Sequence, residues 1–387
     1  MRVLVIGGTG QSGPLIVRGL VDAGHEVVIM HSGQHEPPLP PIEHIHTDVH
    51  FKEPLNAALA GRQFDLVISM YGRAQLIADA LVGKTGHLVS ISGTRYYYTN
   101  PRDPRWGAHG PCAASETSPM SDDAGLDRLG YRINQTEQAL MDHHRGDDFA
   151  VTILRYPAVY GPGSVFAGDW SFIRRILDGR EFLLMPDGGL GLRSRLYTDN
   201  AAQAVLLTVE KNEIARGQIY HVADEPPELT IGQTVTALAT ALDREIELVN
   251  CPGWLGHRIY GSQVNFHRLL DTSKIREELG YKDRVDSSEA LRRTALWWRD
   301  NQPASGSDSE RAVGDRFDYA MEDELAGAVK AAETKLAKIA HQPMVEGHPF
   351  RHPRKEGEQK WNADSGSKLM NARFAYPFPM WMPDELA

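Results

Sequence analysis

The chain has 387 residues, 41% of them apolar and 24% charged, and its 41 Lys and Arg against 51 Asp and Glu leave a formal net charge of −10. That length holds one large or two ordinary domains, and an acidic balance with no basic stripe argues against sequence-independent nucleic-acid binding. No uninterrupted apolar stretch is long enough to cross a bilayer, the two cysteines (Cys112 and Cys251) lie far apart, and the first strand begins at the second residue. These features point to a cytoplasmic protein with reduced thiols, no secretory leader and no membrane partner.

The first element is a strand, Val3-Leu4-Val5-Ile6, that runs straight into Gly7-Gly8-Thr9-Gly10-Gln11-Ser12-Gly13. Gly8 and Gly10 permit a tight turn and close approach of backbone to phosphate. Gly13 lets the next helix pack on the strand, and the start of that helix faces negative charge, as a dinucleotide pyrophosphate requires. Pro14 suits a first helical turn, Leu15, Ile16, Leu20 and Ala23 recur at helical spacing, and Gly24 suits the end. The run Val27-Val28-Ile29-Met30 completes a strand–helix–strand unit. A glycine turn in an unrelated fold is the competing reading of this stretch.

Further apolar runs predict strands at 42–46, 64–70, 86–92 and 150–155, with helices at 53–60 and 74–82 between them. This alternation predicts an α/β fold, a Rossmann-type doubly wound parallel sheet with helices on both faces and ligands at the carboxyl ends of the strands. The irregular stretch 100–127 is either a lid over a pocket or a surface insertion. Boundaries fall at 1–165 for a nucleotide-binding domain, 166–302 for a smaller mixed substrate-binding region and 303–387 for an extension. The middle region carries predicted helices at 171–177, 200–211, 231–242 and 287–300 and a turn at Pro186-Asp187-Gly188-Gly189. In the extension, a Ser/Gly-rich linker at 303–309 precedes Phe317, Met321, Leu325, Val329, Ala332, Leu336 and Ile339, which recur at steps of three and four on one helix face. The tail beyond His341 is rich in aromatics and is expected to wrap over its own domain or a partner subunit, with disorder as the alternative.

Several segments in order carry a resemblance: the glycine loop, Asp48 after the third strand, Ile91-Ser92-Gly93-Thr94 followed by Tyr98, Arg155-Tyr156-Pro157-Ala158-Val159-Tyr160-Gly161-Pro162, Tyr197-Thr198-Asp199-Asn200, and Asp271-Thr272-Ser273-Lys274 through Leu279-Gly280-Tyr281. From Met1 to Gln302 the sequence resembles the extended short-chain dehydrogenase/reductase family, in its nucleotide-sugar epimerase/dehydratase group. The resemblance implies an NAD(P)-dependent oxidoreductase, epimerase or dehydratase acting on a small hydroxyl or carbonyl substrate, commonly as a homodimer or higher homo-oligomer. It implies cofactor contacts from Gly7, Gly10, Gln11, Ser12, Gly13, His31, Ser32, Asp48 (on the adenine amino group), Met70, Tyr71, Ser92, Gln135, Tyr156 and Pro157. Thr94 stands where the family holds the reacting oxygen, while Arg193 and Arg195 are either anchors for an anionic substrate group or a surface pair.

The family's proton relay is a Tyr with a Lys four residues later, whose charge lowers the phenol pKa. Here the helix reads Leu129-Gly130-Tyr131-Arg132-Ile133-Asn134-Gln135-Thr136-Glu137. In one register Tyr131 is the acid and Gln135 replaces the Lys; in the other, Gly130 and Glu137 match flanking positions and Leu129 and Ile133 replace the pair. Tyr96, Tyr97 and Tyr98, just past Thr94, are substitute candidates for proton transfer or substrate contact. The segment His31-Ser32-Gly33-Gln34-His35 holds neither an acid for the ribose hydroxyls nor an Arg for a 2′-phosphate, and leans to NADP with NAD open. His44 and His46 share a strand face and read as a solvated edge; His348 and His352 sit among prolines, so no metal site is expected. The damaged Tyr–Lys pair also admits an NAD(P)-binding sensor without turnover, whereas an RNA-binding relative is disfavoured by the acidic balance.

Overall fold

The computed structural model describes residues 1–96, 113–164, 168–260 and 267–339. Met1–Val329 form one compact unit and Lys330–Ala387 a second. The strands are β1 (Arg2–Ile6), β2 (Glu26–His31), β3 (Glu43–His46), β4 (Leu66–Ser69), β5 (His87–Gly93), β6 (Ala113–Ala114), β7 (Ala150–Tyr156), β8 (Ala158–Tyr160), β9 (Phe182–Pro186), β10 (Arg195–Tyr197), β11 (Ile219–His221), β12 (Glu247–Cys251) and β13 (Leu269–Leu270). The helices are α1 (Gly13–Asp22), α2 (Lys52–Ala58), α3 (Ala74–Leu81), α4 (Arg128–Arg145), α5 (Trp170–Leu177), α6 (Thr198–Glu210), α7 (Asn212–Ala215), α8 (Ile231–Ala241), α9 (Gly256–Tyr260), α10 (Ser273–Leu279), α11 (Ser287–Asp300), α12 (Asp308–Arg311) and α13 (Tyr319–Ile339). Among the described residues no helix is long and apolar enough to cross a membrane.

Seven strands form one parallel sheet in the order β11-β7-β5-β4-β1-β2-β3. The doubly wound sheet expected from the alternation is therefore present, with one added edge. The three-residue β11 is too short to have registered as a strand and is held by pairing Ile219–His221 with Ile153–Arg155 of β7. Alternating side chains feed two layers. Val3 and Val5 of β1 pack with Ile16, Val17 and Leu20 of α1 and Ala201 and Val205 of α6, while Leu4 and Ile6 pack with Leu55, Ile77, Leu81 and Leu140 from α2, α3 and α4. Burying each such aliphatic contributes about 1.5–3 kcal/mol, so the central strand is committed on both faces. Chain order reverses between β1 and β4, which puts the glycine loop and the β4 exit, Met70 and Tyr71, side by side at the switch point.

A third apolar cluster joins α5, α8 and α11, and Phe317, Met321, Leu325 and Val329 of the predicted amphipathic face pack onto it. The linker segment is a capped turn: Ser307 Oγ accepts from the Glu310 amide and Glu310 accepts from the Gly306 amide. The start of α13 is then fixed by charge. Arg175 on α5 is fully buried and donates to Asp315 (2.7 Å) and Glu322 (3.0 Å), both of which are also buried. One guanidinium thus compensates two carboxylates in the interior. Arg175→Met would strand those carboxylates and is expected to lower unfolding free energy by about 3–5 kcal/mol, with partial recovery when all three residues are made apolar. Urea denaturation measures this; a loss below about 1 kcal/mol would contradict an interior ion cluster.

Candidate functional site

The glycine loop has a defined steric logic. A Cβ on Gly13 would lie 2.3 Å from the Gly8 carbonyl carbon, so α1 sits hard against the loop backbone only because position 13 has no side chain. Gly7 adopts φ +99°, and a Cβ there would meet the Tyr71 ring at 2.9 Å. Gly10 differs: a Cβ there would meet nothing within 4 Å, so the loop's outer surface is open. The α1 N-terminus has no acidic residue in its first turn, and Ser12 makes no capping hydrogen bond with its side chain. No carboxylate on the helix itself offsets the partial positive charge of its start. These residues fit a dinucleotide pyrophosphate. Asp48 lies after β3, half-exposed, and accepts from the His50 amide (2.9 Å) and His50 Nδ1 (2.8 Å). Those bonds hold its carboxyl below the usual range, and His50 stacks edge-on against Tyr71.

From there the cleft follows the carboxyl ends of β4 and β5. A cavity of about 1030 Å³ is bordered by Tyr71, Ser92, Gly93, Tyr131 and Gln135. A second pocket of about 290 Å³ contains Thr94, Pro157, Arg193 and Arg268. Gly93, Leu129 and Ile133 border both. Asp127 fixes where α4 begins, accepting from the Gly130 amide at 2.9 Å. Leu129, Ile133 and Glu137 then recur every four residues along α4. Ile133 lies over Gly93, and Glu137 accepts from Ser92 Oγ at 2.5 Å. Tyr131 and Gln135 line the wide cavity but not the Thr94 pocket, so the helix presents Leu129 and Ile133 where Thr94 stands.

Behind the pocket runs a buried polar chain. Arg155 on β7 donates to Glu137 (2.6 and 2.9 Å) and, through Nη1, to the Tyr96 hydroxyl (3.3 Å). The Tyr96 hydroxyl bonds His221 Nε2, and His221 Nδ1 donates to the Asp271 carbonyl (3.2 Å). The direction of these donors makes His221 a neutral Nδ1–H tautomer. Burial, reinforced by the Arg155 charge, pushes its pKa down to about 4. Tyr96 borders the pocket and is buried, with its hydroxyl bonded into this chain. Tyr156 is placed similarly. Its hydroxyl donates to the Ala201 carbonyl at 2.8 Å, so its phenol belongs to the core beneath α6 although the residue borders the pocket with Pro157.

Arg195 pairs with Asp169 at 2.6 Å and lies 3.9 Å over the Tyr160 ring, lining a neighbouring cavity rather than the Thr94 pocket. The cationic wall of that pocket is Arg193 with Arg268, brought together by a parallel bridge across 75 residues. Burial, then repulsion from Arg268 and Arg195, pushes Arg193 down to about 10; burial and Arg95 do the same to Arg268. Sequence reasoning missed Arg268, which no local motif marks, and the roles of Glu137 and His221. His31 is buried and turned toward His44 rather than toward a ribose, and Glu36 supplies an acid close to the end of β2. Tyr97 and Tyr98, residues 100–112 of the stretch 100–127, and His348 and His352 lie outside the described residues.

The fold is shared with solved nucleotide-sugar epimerases and dehydratases. Residues 131–223 match the NAD dependent epimerase/dehydratase family. A 3-diazoavenalumate denitrifying reductase from a Streptomyces species is 28% identical over 244 residues, covering 58% of this chain and 77% of that protein. A dTDP-glucose 4,6-dehydratase from Streptomyces antibioticus is 28% identical over 238 residues, covering 60% of this chain and 64% of its own length. The solved UDP-glucose 4-epimerase of Thermotoga maritima shares the fold with a TM-score of 0.63 at 19% identity, covering 78% of this chain and 100% of that one. A Streptomyces venezuelae dTDP-glucose 4,6-dehydratase with NAD bound superimposes at 0.59 and 22% identity over 78% of this chain and 98% of its own.

The polar chain makes stability pH-dependent. An unfolded His221 takes a proton below about 6.5, the folded one only near 4. Its contribution is therefore complete above pH 6.5 and is lost as pH falls toward 4. Between pH 7.5 and 5 this residue is expected to remove about 2 kcal/mol of unfolding free energy. Urea midpoints at the two pH values check it; an equal drop in His221→Gln would contradict the assignment.

Proposed function

We propose that this chain is an NAD(P)-dependent enzyme that transfers hydride to or from a small anionic hydroxyl or carbonyl compound of the sugar-nucleotide kind. The observation that carries the reading is the loop itself: Gly13 closed onto Gly8, Gly10 open, and a helix start with neither an acidic residue nor a side-chain cap. Gly7, Gly10, Gln11, Ser12 and Gly13 would hold the pyrophosphate, and Asp48, Tyr71 and Ser92 would border the rest of the cofactor. When bound, the nicotinamide supplies or accepts the hydride.

The remaining work falls to this chain's own groups. Arg193 and Arg268, which line the same pocket as Thr94, hold an anionic group of the substrate through charge-assisted hydrogen bonds. Thr94 hydrogen-bonds the reacting oxygen. Leu129 and Ile133 exclude water from that oxygen and offer no proton, so the proton moves through a group off α4. Tyr98 is the candidate, four residues beyond Thr94. The relatives named above support the substrate class by what their names state, and the acidic overall charge makes a local pair of guanidiniums the more significant.

The test is deuteride transfer in both directions, from 4-deuterated NADH and NADPH to keto nucleotide sugars and from nucleotide sugars deuterated at the carbinol carbon to oxidised NAD and NADP, with variants. Thr94→Ala and Tyr98→Phe are expected to lower kcat by about 100-fold or more, and Tyr131→Phe by less than about threefold. Transfer lost with Tyr131→Phe but kept with Tyr98→Phe would restore the other register of α4. Absence of label transfer to any substrate, from either cofactor, would contradict the proposal.

A further inference from the structure

The carboxyl ends of β2 and β3 gather an unusual donor set. Parallel pairing puts His31 opposite His46, and His44 follows on the same face of β3. His31 Nε2 lies 3.0 Å from His44 Nδ1, and His46 Nε2 lies 2.9 Å from Glu36 Oε1. One donor atom from each of the four residues falls within 4.8 Å of the others. The three imidazole rings stand edge-on to one another, at 76°, 80° and 77°. The sequence reading took His44 and His46 for a solvated edge. It had no way to see that strand pairing adds a buried His31, or that the 32–42 loop returns Glu36 to the same spot.

We propose that His31, His44, His46 and Glu36 form a binding site for one divalent transition-metal ion, with Zn²⁺ the first candidate. Zn²⁺ takes imidazole nitrogens and carboxylate oxygens at about 2.0–2.2 Å in a tetrahedron, whose corners lie about 3.4 Å apart. The observed separations bracket that spacing, so side-chain rotations close the site without moving the sheet. Three neutral imidazoles and one carboxylate favour borderline metals over Mg²⁺ or Ca²⁺, which select oxygen ligands. The carboxylate also decides against an anion as occupant, since a phosphate here would face Glu36.

Loading an ion requires the His31 proton to sit on Nδ1, so the 3.2 Å contact from the Gly33 amide to that atom opens. Gly33 is exposed and can turn. With four protein ligands the site is closed and structural. It pins the proline-rich loop between β2 and β3 to the sheet beside the cofactor cleft. The site stands on its own residues and does not depend on the enzymatic reading.

The experiment uses untagged full-length protein, stripped with chelator and free of nucleotide. Calorimetric titration with Zn²⁺ is expected to show one ion per chain. Co²⁺ substituted for it is expected to give the visible bands of tetrahedral nitrogen–oxygen ligation. His44→Ala and His46→Ala, both at exposed positions, are each expected to weaken binding by more than about tenfold. Circular dichroism of each variant confirms folding. No stoichiometric uptake would overturn the proposal, as would uptake unchanged in both variants, which would assign the ion to histidines elsewhere.

Discussion

The contact between Gly13 and the Gly8 backbone sets the rest of the cleft. With no Cβ at position 13, α1 starts directly on top of the loop that leaves β1. Had a side chain stood there, the helix would be displaced and its field with it. The neighbouring glycines share the work differently. Gly7 admits the Tyr71 ring, which closes one side, and Gly10 leaves the other side clear. Sheet topology then does the placing, because β1 and β4 diverge at the point where the chain reverses its order.

Away from the loop, the site is shaped by what α4 turns toward β5. The cap at Asp127 sets the helix phase, and that phase directs Leu129 and Ile133 to Thr94 and sends Glu137 to Arg155 and Ser92. A buried chain of hydrogen bonds through Tyr96 and His221 continues behind, tying α4, β5, β7 and β11 together. This network explains why polar residues so close to the pocket are not free to act on a ligand. Thr94, Arg193 and Arg268 line the pocket itself.

Much of the fold was legible in the sequence because buried parallel strands are short apolar runs and their glycine-rich exits are conspicuous. The strands at Val3, Val27, Leu66, Leu88 and Val151 announced themselves in this way. The two registers of α4 could not be separated by spacing, since Tyr131–Gln135 and Leu129–Ile133 are both four apart; only the direction each pair faces distinguishes them. Arg268 and His221 were invisible for another reason. Their partners are Arg193 and Tyr96, and nothing local signals a contact made over 75 or 125 residues. The histidines at the β2–β3 edge show the same limit, because strand pairing rather than sequence adjacency gathers them.

The central claim is that the glycine loop and the start of α1 hold a diphosphate. Calorimetry with adenosine diphosphate ribose, which keeps the pyrophosphate and lacks the nicotinamide, tests it most directly when the natural chain is compared with Gly10→Val. The account expects binding by the natural chain, weakened more than about tenfold in the variant with no change in melting temperature, because the added side chain meets the ligand and not the protein. Equal binding by the two chains, or none by the natural one, would contradict it.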